Sequence, residues 1–160
     1  MKYIKLLPIA LIVSLVAVQQ VSAQFSAINI NKLEVYGFAR LGDESVKKAV
    51  ATLYEDQENN GKWVQVQQMK SNINGEFGFK LDYNSKYVIE IAKANYISKR
   101  ISFDTNVYGK TIHSLDFYFN VDFIPGVNTA NSEIPVGNVF YHVQKNKFDY
   151  ELNGEKAQAQ

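Results

Sequence analysis

Cysteine is absent from this chain. A disulfide, a thiolate nucleophile, a thiolate-ligated metal and a lipid-bearing cysteine are therefore all excluded by composition. Histidine is nearly as scarce, at His113 and His142, and neither stands in a His-Glu-x-x-His pattern or another spacing that gathers acidic ligands. No Gly-x-Ser-x-Gly segment is present to mark a serine nucleophile. Charge of one sign is lacking too: 17 basic residues face 16 acidic ones, whereas a nucleic-acid binder needs a basic surplus or stripe to neutralise phosphates. Lys47-Lys48 and Lys99-Arg100 read as solvated charges at strand ends. No nucleic-acid partner, metal or cofactor is expected.

Long apolar runs are confined to the N-terminus. Lys2 and Lys5 precede an apolar stretch from Leu6 to Val18, shorter than the roughly 18 to 20 residues that cross a bilayer core. Val21-Ser22-Ala23 then offers small or compact residues where a signal peptidase reads, so residues 1–23 are expected to be a secretory signal with Gln24 as the new N-terminus. No second segment is apolar enough to span. The exported remainder would carry a formal charge near neutral and suit a single domain. Without disulfides, its stability has to come from apolar burial, for which ten Phe and ten Tyr provide material.

What is present is alternation. Phe77, Phe79 and Leu81 interleave with Glu76, Gly78, Lys80 and Asp82, and Tyr87, Ile89 and Ile91 interleave with Val88, Glu90 and Ala92. Leu115, Phe117, Phe119, Val121 and Phe123 alternate with Asp116, Tyr118, Asn120 and Asp122. A period of two is the mark of a strand with one buried face, and a helix would scatter these side chains around its circumference. Further strands are expected over Leu33 to Ala39, Ala49 to Tyr54, Lys62 to Met69 and around Ile101 to Phe103. Leu41 to Ser45 reads as a loop. Asn60-Gly61 signals a hairpin, since a type I′ turn needs positive φ at both central residues. Val64 and Val66 are expected to face inward, with Gln65 and Gln67 outward. About seven strands at this spacing imply an all-β chain folded as an antiparallel sandwich.

The order Val35-Tyr36-Gly37-Phe38-Ala39, a polar loop, Ala49-Val50-Ala51-Thr52-Leu53-Tyr54, then Asn74-Gly75-Glu76-Phe77-Gly78-Phe79, Tyr87-Val88-Ile89-Glu90-Ile91 and Asn95-Tyr96-Ile97-Ser98-Lys99 resembles the carboxypeptidase regulatory-like domain. That resemblance implies a transthyretin-like β-sandwich over residues 33–124, after a lead at 24–32 and before a partly flexible C-terminal arm at 125–160. It also implies a non-catalytic module for folding support, spacing or protein contact. The signal ending Gln19-Gln20-Val21-Ser22-Ala23-Gln24 and the segments around Val139-Phe140-Tyr141 and Lys147 to Glu151 resemble envelope proteins of the Bacteroidota, which implies a periplasmic, outer-membrane-associated or secreted location. Transthyretin-like hydrolases carry a histidine and arginine constellation that is missing here.

Two acidic or amide-rich spots invite a calcium reading. Asp116 and Asp122 share an outward strand face, and Asn72, Asn74 and Glu76 cluster at one turn, yet the turn lacks the length and charge of an EF-hand loop and reads as hairpin chemistry. Tyr87 and Tyr96 are expected to close the sandwich ends with the hydroxyl in water. His113 reads as a sandwich-end residue. The remaining signal is aromatic: Tyr54, Trp63, Tyr118 and Phe140 fall on outward parity and form the candidate contact residues for an envelope protein or, as the alternative, a glycan. Val136 to Val143 has the composition of one more strand or a docking arm.

Overall fold

The computed structural model describes residues 32–109, 115–129 and 133–153; the expected signal segment, most of the lead, His113 and the end of the tail lie outside the described residues. The alternating stretches form strands β1 (Lys32–Leu41), β3 (Val50–Asp56), β4 (Trp63–Lys70), β5 (Glu76–Asp82), β6 (Lys86–Ala92), β7 (Lys99–Asp104) and β8 (Leu115–Asp122). Three more join them: β2 (Glu44–Ser45), β9 (Gly137–His142) and β10 (Lys147–Leu152). The fold is an all-β sandwich of two sheets rich in antiparallel pairs. In the smaller sheet, β1 is flanked by β5 and the short β2, both antiparallel, and by β8, parallel. The larger sheet runs β10-β9-β7-β6-β3-β4, antiparallel except where β9 lies parallel to β7. Among the described residues no helix is long and apolar enough to cross a membrane.

The inward set is the one the alternation marks. Leu33, Val35, Phe79 and Leu81 from the smaller sheet meet Ala51, Leu53, Ile89, Ile91 and Phe103 from the larger, all essentially buried. Phe77 packs edge-on against Phe119, and Phe103 edge-on against Phe117. Full burial of each such ring contributes roughly 1.5–3 kcal/mol. The segment expected as a C-terminal arm supplies β9 and β10, with Val139, Tyr141 and Phe148 buried in the same core.

Four local expectations are corrected. Glu44 and Ser45, read as loop, fold back on Leu41 and Arg40 as β2. β4 does not bury Val64 and Val66, which are 38% and 42% exposed. A register shift at Leu53/Tyr54 sets Gln65 across from Tyr54 and Gln67 across from Leu53, with Val66 as the extra residue of a bulge; Val64, across from Glu55 in the row of Tyr87, stays exposed because β4 is the last strand of its sheet. The β3–β4 connection is a hairpin, but positive φ falls at Asn59 and Gly61, not Asn60. Its loop is longer than two residues because the buried Asp56 carboxylate accepts the Asn60 and Gly61 amides at 3.0 Å each. Finally, the Tyr87 hydroxyl is not in water: it accepts the Asp82 amide at 3.3 Å, and burial pushes the phenol up to about 12.

Candidate binding surfaces

Two concave surfaces form, one on the outer face of the larger sheet and one at the open side of the sandwich. On the outer face, cross-strand register aligns Gln65, Tyr54, Val88, Ser102, Asn138 and Glu151 in one row over all six strands. Val88 points away from the core yet is only 8% exposed. Tyr54, Trp63 and the segment Glu133 to Pro135 rise around it and enclose a groove of about 340 Å³. Arg100 closes one side. It pairs with Glu90 through both Nε and Nη2 and donates to the Glu133 carbonyl at 3.3 Å, so the guanidinium ties the overhanging segment to the sheet. The groove has an apolar floor, an aromatic wall and a charged rim.

The second surface arises because the sheets are unequal. β9 and β10 extend the larger sheet past β8, the last strand of the smaller one. Phe117 and Phe119 face inward from β8 but stay only half-buried. Opposite them Tyr150 and Leu152, on the parity of buried Phe148, are 61% and 55% exposed. Together with Ile101 and Val139 they line a slot of about 420 Å³. Gly137 sits in its floor, between Ile101 and Leu152 in the register, and leaves it without a side chain. Tyr83, stacked on Phe148 with ring centroids 6.2 Å apart, bridges the sheets near the start of β8; burial raises its phenol, against a hydrogen bond with the Leu115 backbone. Among the described residues no strand pairs with the outer edge of β8.

The four candidate residues do not form one patch. Tyr54 and Trp63 meet in the groove. Phe140 shares that sheet face but lies on β9, three strands from Tyr54 and paired with Asp104 and Asp149. Tyr118 is on the other sheet, 60% exposed and stacked on Tyr36 at 5.1 Å. Gly78 leaves room beneath that pair, since a Cβ there would stand 3.2 Å from the Tyr36 ring. The Tyr36 hydroxyl donates to Glu34, which pushes its own ionisation up to about 12, while Lys80 and Tyr36 hold Glu34 below the usual carboxylate range.

Arg100 and Val88 escaped sequence reasoning, Arg100 because Lys99-Arg100 looked solvated and Val88 because its partners come from β3, β4 and the approach to β9. The slot-lining Tyr150 and Leu152 carried an alternation signal of their own, but nothing in their segment says that no strand faces them. Asn72, weighed as a cation ligand, uses its side-chain oxygen to accept the Asn74 and Glu76 amides at 2.9 and 3.0 Å, and Gly75 turns there with φ +77° against the Ala39 carbonyl. His142 ends β9 with a buried Nδ1 that has no hydrogen-bond partner among the described residues. No cluster of three or more potential metal ligands occurs among the described residues.

No known family model and no curated protein matches the chain. Among solved structures it is similar to the Bacillus anthracis TIE protein, at 21% identity over 57% of this chain and 17% of that one, with a TM-score of 0.45. It is also similar to S.CueP (14% identity, 59% of this chain and 64% of that one, TM-score 0.42). A third similarity is to the group B streptococcus pilus 2b backbone protein (12%, 58% and 41%, TM-score 0.40). The chain spans less than two thirds of each, and these distant likenesses carry no functional argument.

Proposed function

We propose that this protein is an exported, non-catalytic β-sandwich module, akin to carboxypeptidase regulatory-like domains, that serves as an accessory or scaffold component of a cell-envelope assembly. The observation that carries the reading is the open side of the sandwich: two inward-facing aromatic rings of β8 are left only partly covered, beside an edge that no strand among the described residues pairs. Such a surface suits a protein contact, because edge amides and carbonyls give affinity without an enclosed pocket. Photocrosslinkers at positions 118 and 63 in cells, each followed by purification, are expected to recover a discrete envelope partner from at least one of the two. Repeated recovery of free monomer alone overturns the reading.

The groove supports a second reading, a glycan-binding accessory protein. Trp63 and Tyr54 offer aromatic surface beside Arg100, Ser102 and Glu133, a combination of ring faces and hydrogen-bonding rim that accepts a sugar. Polysaccharide pull-down discriminates: retention that Trp63→Ala abolishes favours the glycan, and absent or unchanged retention removes it.

A further inference from the structure

We infer that β8 receives one more strand, donated by an extended segment of a partner protein that has apolar residues at alternate positions and Lys or Arg between them. This rests on the accessory-module reading and specifies the partner's chemistry at the open side. The geometry is that of a sandwich lacking one strand. A strand hydrogen-bonded to the outer edge of β8 would lie over Tyr150, Leu152 and Val139, and its inward side chains would fill the slot. Alternate side chains enter because the strand period is two.

Charge selects the other face of the donated strand. Asp116 and Asp122 project from the outer face of β8. Their cross-strand neighbours on β1 are Glu34 and Arg40, and among the described residues neither forms an ion pair with them. Glu34 is itself an acid, already paired with Lys80 at 2.7 Å. Arg40 shares a rim with Asp122 but spends its guanidinium on Ser45, to which it donates at 3.0 Å, and on the Phe38 ring. Among the described residues Asp116 accepts only a long hydrogen bond from the Tyr118 hydroxyl, at 3.4 Å. An adjoining strand therefore meets carboxylates at both ends of β8, and cross-strand pairs of opposite charge favour Lys or Arg there.

Two segments of this chain that flank the described residues lack this chemistry. Residues 24–31, QFSAININ, contain no Lys or Arg, and residues 154–160, GEKAQAQ, contain no apolar side chain larger than alanine.

The test uses the full exported chain and three peptides of about ten residues: valine at alternate positions with lysine between, the same with glutamate between, and a scrambled lysine peptide. The lysine peptide is expected to slow amide hydrogen exchange along β8 and to bind at least ~10-fold more tightly than the glutamate peptide. Salt should erode that advantage, and so should Asp116→Asn with Asp122→Asn. Equal affinity for all three, or protection on β4 in place of β8, overturns the inference. Crosslinking in cells from positions 118 and 63 separates it from the broader reading. Capture only from position 63 leaves the accessory module standing without the β8 strand, and capture of a second copy from position 118 assigns the slot to self-association, against the inference. No capture from either position removes the module itself.

Discussion

Gly37 shows how one missing side chain shapes the core. It faces inward from β1, and a Cβ there would stand 2.1 Å from Cζ of Phe77; the ring occupies the space that any other residue would claim. Its φ is not positive, so the demand is steric and not conformational. Gly37→Ala is expected to cost about 1–3 kcal/mol, as overpacking does in a close-packed interior, read as a lower urea midpoint with unchanged slope. An unchanged midpoint would show that Phe77 repacks freely. Glu34 and Tyr36 set a second expectation at this scale. Because the hydrogen bond to Glu34 raises the Tyr36 ionisation to about 12, its contribution is complete below the free phenol value of about 10 and disappears as pH rises through about 12. Glu34 has the opposite sign: its depressed value makes its contribution present above the ordinary carboxylate range and lost as pH falls. In Glu34→Gln, tyrosinate absorbance assigned by difference against Tyr36→Phe should show Tyr36 ionising at lower pH; an unmoved titration would mean that the contact does not govern it.

Strands show where alternation is sufficient and where it is not. β5 and β6 bury the residues their patterns mark, and β8 turns its marked residues inward although only Val121 of the strand is fully covered; each pairs without a register break, and one slip would turn a whole apolar set to solvent. β4 carries the same kind of pattern in Val64 and Val66, but the bulge opposite Leu53/Tyr54 breaks it at Val66, and among the described residues no strand pairs with its outer edge. Trp63 and Tyr54 were legible as outward residues. Their meeting in one groove was not, since the register between β3 and β4 depends on that bulge and on the Asp56 cap. The cap gives a prediction for the element as a whole. Asp56→Ala leaves the amides of Asn60 and Gly61 without their charged acceptor, and a hydrogen bond to a charged group contributes roughly 1.5–3 kcal/mol. A loss of about 1–3 kcal/mol with faster amide exchange at Asn60 and Gly61 is expected. Stability within a few tenths of wild type would show that the loop holds its shape without the carboxylate.

At the level of the whole molecule the decisive pairings are remote in sequence: β1 with β8, and β7 with β9. No local pattern states them, so the sequence shows strands without showing which edges remain open. This is why the slot became visible only when β9 and β10 were seen to extend the larger sheet beyond β8. The same extension makes residues 137–152 part of the core. Val139, Tyr141 and Phe148 are 2%, 4% and 8% exposed, and at roughly 1.5–3 kcal/mol for each buried side chain their removal withdraws about 5–9 kcal/mol. Typical domains are stable by only about 5–15 kcal/mol. A chain ending at Thr129 should therefore lie at or past the edge of unfolding, because it also uncovers Phe103 and Ile101 along the freed edge of β7. Near-ultraviolet circular dichroism and urea unfolding check this: the truncated chain is expected to lose its aromatic signal or to unfold at far lower denaturant. If it kept the full-length midpoint, β9 and β10 would be an appendage to a complete sandwich, and the slot they form would no longer be a place where the fold itself lacks a strand.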